Sequence, residues 1–426
     1  MNKRSLPDRW SLKKIGEIAT VVSGGTPSRN QPKYWVNGNI PWVTPTDITR
    51  DNSQTLSEAK EKITELGLRS SSANLLPIGT LLMTSRATVG EIKISTVPVS
   101  TNQGFKNLIP NALVDKWYLY YQMVYHKESY KQLGNGSTFL EVSKSATESF
   151  EICYAPLPEQ RAIADVLLTV DEAIAQSESL VRKYQSIKQG LMSDLLTRGV
   201  DENGELRPSY EEAPNLYQDT SLGRLPKEWE IKKVDDAFNL ILGKMLSKVS
   251  KKGKSPFPYL ANRNVQWDKL DLSDLDWMDF SDAEREKLEL LQEDLLVCEG
   301  GEVGRTAIWN NEMKECYFQK AIHRLRSKDR SVLPRFMLRY MRFAAQSGLF
   351  TNFTSQTSIS HLTQEKLKTL PLIRPKVPEQ ERIIKIFDNQ DELASQEDAM
   401  LKKLQLLKQG LMQDLLSGQV RVKVKK

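Results

Sequence analysis

"PEQRAIADVLLTVDEAIAQSESLVRKYQSIKQGLMSDLL", Pro158–Leu196, returns 220 residues later as "PEQERIIKIFDNQDELASQEDAMLKKLQLLKQGLMQDLL", Pro378–Leu416. Of the 39 aligned positions, 17 are identical. A second echo precedes each copy: "LPDRWSLKKIGEIATVVSG" at Leu6–Gly24 and "LPKEWEIKKVDDAFNLILG" at Leu225–Gly243. The order is globule, helix, globule, helix. Two like units on one chain suit a ligand with two half-sites.

The repeated segment reads as a long helix. Proline opens each copy, where no donor is needed, and Glu159 and Glu379 follow in the first turn, where negative charge is favoured. Gly199 and Gly418 suit C-terminal stops. The apolar spacing is close to 3.5 residues. One ladder is Ile163, Leu167, Val170, Ile174, Val181, Tyr184, Leu191 and Leu195; the other is Ile383, Phe387, Ala394, Leu401, Leu404, Leu411 and Leu415. Such a seam predicts a coiled coil. Both ladders are interrupted at matched positions, Ser177 with Glu397 and Lys188 with Lys408. Antiparallel pairing of the helices would set the globules at opposite ends, related by an approximate two-fold axis, as a bipartite DNA site demands. Gly190 and Gly410, inside the matched "KQGLM" segments, suggest close backbone approach at a helix crossing, since a mid-helix glycine costs about 1 kcal/mol.

The expected organisation is a globule at 1–155, a helix at 156–198, a linker at 199–224, a second globule at 225–375, a helix at 376–418 and a basic tail at 419–426. The 426 residues exceed what one core serves, and 39% hydrophobic with 27% charged content is ordinary for a soluble chain. No apolar run suggests a membrane span, and the start "MNKRSLPDRW" lacks a signal-peptide core. Three unclustered cysteines indicate neither disulfides nor zinc, and a cytoplasmic location is the simplest expectation. The net charge of +6 is mildly basic. Lysines crowd into "SKVSKKGKSP" and the tail "RVKVKK", which alone read as a solvated loop and a frayed end.

Both globules read as α+β and follow one plan. "EDLLVCEGGEVGRTAIW" stands where "GTLLMTSRATVGEIKI" stood, so Ser85, Arg86 and Ala87 face Glu299, Gly300 and Gly301. A shared scaffold with different loop chemistry is what reading two different half-sites requires. The aromatics Trp117, Tyr118, Tyr120, Tyr121 and Tyr125 form a helical stripe and are expected in the core. No catalytic constellation stands out. The chain has no P-loop and no adjacent Pro-Pro, hence no amino-methyltransferase Asn/Asp-Pro-Pro-aromatic motif. His126, His323 and His361 are scattered and are expected as surface or capping residues. No metal site is expected.

With "PLPEQRAIADVL…KQGLMSDLL", "PKVPEQERIIKIF…KQGLMQDLL" and the opening "SGGTPSRNQPKYWVNGNIPWVTPTDI", the chain resembles the specificity subunit of a type I restriction-modification system. The resemblance implies two target-recognition domains, each reading half of a gapped double-stranded DNA sequence, and an antiparallel coiled coil that fixes the gap. It implies two modification subunits carrying S-adenosylmethionine and methyl-transfer chemistry. Restriction subunits, two in number, can add ATP- and Mg-dependent translocation and cleavage. The chain itself is expected to bind no cofactor and to be non-catalytic. The other readings are a non-DNA coiled-coil scaffold and, less favoured, a nuclease with an unrecognised metal site.

Position in polar turns and repeat alignment nominate the DNA contacts. In the first globule these are Thr26, Ser28, Arg29, Thr46, Ser85, Arg86, Gln103 and Lys106. In the second they are Lys244, Lys252, Arg263, Asn264, Arg305, Gln319, Lys320 and Arg324. Good bidentate base contacts contribute about 1–3 kcal/mol each.

Overall fold

The computed structural model describes residues 6–134, 141–246, 256–352 and 361–423. Its two long helices are Leu157–Thr197 and Val377–Leu416, within two residues of the expected bounds. The chain divides into two compact units, Met1–Ser179 with Asp398–Lys426, and Leu180–Glu397. This division cuts each long helix near its middle. The linear boundaries therefore do not mark compact bodies: each unit holds one globule, the start of the helix that follows it, and the end of the other long helix.

In the first unit a five-stranded sheet runs Ala19–Ser23, Lys106–Pro110, Leu81–Met83, Ile92–Ser95, Thr55–Leu56. A three-stranded sheet runs Glu61–Ile63, Ile40–Val43, Ser100–Thr101. The larger sheet packs Val21, Leu81, Met83, Ile92, Ile94 and Leu108 against Tyr118, Leu119, Tyr121 and Met123 of the helix Lys116–Tyr125. Tyr118, Tyr120 and Tyr121 of the aromatic stripe are thus core and Trp117 packs at its edge, but Tyr125, expected there too, is exposed because it lies on the outer face of the helix's last turn. The same core takes Ile163 and Leu167 from the first long helix, and Leu411, Met412, Leu415 and Leu416 from the second. Asp171 pairs with Lys408 and Glu159 with Arg421, so one helix index rises as the other falls: the two stretches are antiparallel.

The second unit repeats the plan. Its four-stranded sheet runs Phe238–Leu242, Ile322–Ser327, Leu295–Cys298, Thr306–Ile308. A three-stranded sheet runs Asp276–Asp279, Pro256–Leu260, Tyr317–Phe318. Phe336, Met337, Tyr340 and Met341 of the helix Pro334–Gln346 join Leu191, Leu195, Ile383 and Phe387 in one core. Away from these cores the seam is shallower. Val170, Ile174, Val181, Tyr184, Leu401 and Leu404 are only half-buried. The matched lysines that interrupt the ladders are ion-pair partners: Lys408 Nζ lies 2.6 Å from Asp171 in the first unit, and Lys188 Nζ 2.5 Å from Asp391 in the second. Gly190 and Gly410 do not mark a crossing. A Cβ built on either meets nothing within 4 Å, and both lie on exposed faces.

The repeated Pro-Glu-Gln start has a larger role than a favourable helix dipole. Glu159 accepts from Trp10 Nε1 at 3.2 Å and from Arg421 at 2.8 and 3.1 Å. Glu379 accepts from Trp229 Nε1 at 3.1 Å, from Val200 N at 3.1 Å and from Arg207 at 3.0 Å. Gln160 accepts from Asp115 N and donates to Ala155 O; Gln380 accepts from Leu333 N and donates to Pro375 O. The tryptophans are those of the "LPDRW" and "LPKEW" echoes. Gly418 (φ +77°) and Gly199 (φ +68°) bend the chain away at the helix ends, and a Cβ at Gly418 would meet Pro7 Cγ at 2.8 Å. The tail is therefore no frayed end where it is described, because Arg421 closes the first unit.

Burial raises the Glu159 carboxyl, but Arg421 and Trp10 outweigh it and hold it below the usual carboxylate range. A depressed folded value means stability that is complete above the unfolded value, about pH 4.3, and lost as pH falls through the folded one. Acidification should therefore loosen the first unit, and Glu159→Gln should remove that component from hydrogen-exchange profiles taken between pH 3 and 6. Arg207 is 12% exposed against a 5% exposed Glu379. Arg207→Met should cost the second unit about 3–5 kcal/mol, since a buried charge loses its partner. Arg421 is 45% exposed, and Arg421→Met should cost the first unit clearly less. Unit-resolved hydrogen exchange would measure both.

Candidate nucleic-acid interface

The hairpin Leu81–Met83/Ile92–Ser95 of the first unit and the hairpin Leu295–Cys298/Thr306–Ile308 of the second end in loops of one backbone design. Gly90 N donates to Thr84 O, and Gly304 N to Cys298 O. Ser85 N donates to Gly104 O, and Glu299 N to Ala321 O. Val142 N donates to Ser85 O, and Leu362 N to Glu299 O. These bonds make Arg86 the counterpart of Gly300, and Glu141 that of His361. Ala87 adopts φ +56° where its counterpart Gly301 has +76°, the left-handed region that an alanine enters only under strain.

Sheet register extends the correspondence. Lys106 pairs with Ser23, and His323 with Leu242. The parallel pairs Trp42↔Ser100 and Tyr259↔Tyr317 then align Thr46 with Arg263, Asp47 with Asn264, and Gln103 with Lys320. Thr46, Arg86 and Gln103 are exposed on the first unit, as are Arg263, Lys320 and His361 on the second. Each set borders its own hairpin loop. Pro45 Cγ would lie 3.5 Å from a Cβ on Gly104, Asn262 Nδ2 donates to Gly300 O at 3.0 Å, and the His361 ring stands 3.0 Å from a Cβ on Gly300. Identical backbone thus carries unlike side chains: guanidinium against none, amide against ammonium, carboxylate against imidazole.

Of the nominated residues, Thr26, Thr46, Arg86 and Gln103 gather on the first rim, while Ser85 and Lys106 are buried beneath it. Thr26 bonds Gln103, and Lys106 Nζ reaches Ser85 Oγ at 3.3 Å. Ser28 and Arg29 sit beside the Trp42 end of this rim. Arg29 stacks 3.8 Å over Trp35 and pairs with Glu61, while Ser28 O accepts from Trp35 Nε1. On the second unit Arg263, Gln319 and Lys320 belong to the rim, with Arg263 held by Asp276 and Asp274.

Four other nominations take different roles. Asn264 is buried and caps its own turn, accepting from Ala261 N as Asp47 does from Thr44 N. Arg324 is buried, and its guanidinium donates to Lys287 O and Glu289 O; burial lowers its pKa to about 10. Arg305 fastens the loop through Asn262 O and Oδ1, both at 2.7 Å. Lys244 is tied to Glu284 at 2.6 Å and to Asp279 O. Asn264 and Arg324 are thus buried in the frame, while Arg305 and Lys244 are half-buried and brace it through these bonds. Lys252 lies outside the described residues.

The sequence expectation placed His323 and His361 among surface or capping residues and did not single out Glu141. His126 is buried at the C-cap of the helix Lys116–Tyr125, His323 is interior, and of the three only His361 is exposed. The signal that could have found His361 is its place immediately before "LTQEKL", aligned with Glu141 before "VSKSAT". Arg324→Met should destabilise the second unit by about 1–3 kcal/mol, the usual cost of leaving buried carbonyls unpaired. Lys320→Ala should leave stability unchanged. Thermal melts of the two variants separate framework from rim.

One scaffold used twice, with equal backbone and unequal rim chemistry, defines a duplicated recognition protein. The chain belongs to the family described as "Type I restriction modification DNA specificity domain", which matches residues 7–187 and again 226–405. It is 34% identical over 240 residues to the type I restriction enzyme MjaIX specificity subunit of Methanocaldococcus jannaschii, covering 56% of this chain and 54% of that protein. It is 29% identical over 162 residues to the EcoR124I/EcoR124II specificity subunit of Escherichia coli, covering 36% of this chain and 39% of that one. The chain thus spans about half the length, or less, of the curated relatives it matches. Among solved structures, the S subunit of a type I restriction-modification system from M. genitalium has a TM-score of 0.54 at 14% identity, with 98% of each chain covered. The HsdS subunit from Thermoanaerobacter tengcongensis has a TM-score of 0.54 at 16% identity, covering 98% of this chain and 99% of that one. These likenesses establish the fold.

Proposed function

We propose that this chain is the DNA-recognition subunit of a type I restriction-modification complex, each unit reading one half of a gapped target. One observation carries the reading: in a chain of this family, equivalent rim positions keep their backbone and change their chemistry. A protein holding one ligand twice would keep the side chains too. The same contrast disfavours the scaffold alternative, which has no use for divergent exposed loops.

The long helices supply the spacing and the docking surface in this reading. Leu180, Ile187 and Gly190 are exposed on the second unit, and their counterparts Met400, Leu407 and Gly410 on the first. Two copies of one exposed apolar stripe, each with a glycine that no internal contact requires, suit two copies of a partner. Those partners would be modification subunits that carry S-adenosylmethionine and the methyl transfer. Restriction subunits would bring ATP and Mg for translocation and cleavage. This chain would bind none of these cofactors and work in the cytoplasm. No helix among the described residues is long and apolar enough to cross a membrane.

Long-read methylation mapping of host DNA, with the modification subunit present and this chain present or deleted, tests the reading. The expected result is a gapped two-part motif that vanishes with the chain. An unchanged methylome with an active modification subunit would overturn it. Affinity of the assembled complex for its target should fall steeply with salt, as neutralised phosphates require.

A further inference from the structure

We propose that the residue closing over each hairpin loop, Glu141 in the first unit and His361 in the second, sets the base preference of its half-site; this rests on the functional reading above. In the first unit Glu141 bridges two cations. Its Oε2 lies 2.8 Å from Arg86 Nη2 and its Oε1 3.3 Å from Lys106 Nζ. Lys106 is 6% exposed and Arg86 47%. The carboxylate therefore neutralises a buried ammonium, and the trio keeps one net positive charge, on Arg86. Glu141 holds one edge of that guanidinium, and the backbone bridge Arg86↔Glu141 fixes where it stands. Lys106 is anchored in turn by Ser85 Oγ at 3.3 Å.

A guanidinium with one edge bound and the rest turned to solvent is a pre-oriented fork. It suits a base edge that presents two acceptors side by side, the guanine pattern in the major groove. Without the carboxylate the same guanidinium would be a mobile cation attracted to any phosphate, adding affinity without selection. Glu141 is thus a positioning residue that acts through Arg86.

The second unit is built differently at the same three places. Gly300 offers no side chain, and the exposed His361 ring stands over it. His323 replaces the buried lysine, with Nε2 toward Leu362 O at 2.9 Å. Leu362 O only accepts, so Nε2 carries the proton, and burial lowers the ring's pKa and favours its neutral form. No buried cation needs a carboxylate there, which leaves position 361 free to be an imidazole.

The test uses the full chain assembled with its modification subunits and duplexes that vary one base pair at a time across both half-sites. Glu141→Gln should lower the preference at one position of one half-site at least tenfold. It should also raise affinity for unrelated duplex, steepen the salt slope by about one ion, and leave the other half-site untouched. His361→Ala should do the reverse, changing only the other half-site. Because Glu141→Gln leaves Lys106 buried without its carboxylate, the double variant Lys106→Met/Glu141→Gln is measured beside it, with melting curves for both. Single-base preferences within twofold of the parent in a folded variant of either kind would overturn the proposal. A parent complex with no base preference anywhere would remove the functional reading itself, and the proposal with it.

Discussion

A buried carboxylate at the start of each long helix is the constraint on which both units depend. Glu159 and Glu379 each gather an indole from the beginning of their own globule and a guanidinium from the chain that follows the other long helix. Each carboxylate draws three parts of the sequence to one point, and the neighbouring glutamine pins the helix start to the globule behind it. A charge taken out of water is stable only when its lone pairs are filled, so the three parts must arrive together.

The covalent order and the compact bodies therefore differ. The first unit is closed by residues 398–423, and its Arg421 reaches back 262 positions to Glu159. The second is closed within Leu180–Glu397, with Arg207 reaching Glu379 across 172 positions. The two closures use the same chemistry, one from a linker and one from a tail. Contacts of such sequence separation make folding slow to nucleate, because loop closure must precede any reward. The lysines at 188 and 408 serve the same end, because an ion pair placed within an apolar seam penalises any slip of helix against helix.

The rim side chains are laid over this frame on loops held by backbone hydrogen bonds. The hairpin loops are fixed by matching hydrogen bonds in both units, yet the side chains they carry are unrelated: Arg86 against Gly300, Gln103 against Lys320, Glu141 against His361. Rigid loops hold whatever side chain they bear in one place, so each unit's chemistry can change without cost to the fold.

The repeat, the helices, the shared plan of the globules and the aromatic core were all legible in the sequence, because periodicity and self-similarity are local and additive. Part of the first rim was legible as well, since Arg86 and Gln103 lie in polar loop segments that stay exposed when folded, whereas Thr46 falls in the short helix Pro45–Thr49 and Ser85 is buried beneath the loop. What sequence could not separate was a cation that faces solvent from one consumed inside. Arg324 is buried, and Arg305 and Lys244 are half-buried and tied to carbonyl and carboxylate partners that other segments supply. Nor could it show that Gly190 and Gly410 face open space, that the tail closes the first unit, or that Glu141 and His361 stand over the hairpin loops. Those facts depend on which distant segments share one small volume, and only the tertiary structure decides that.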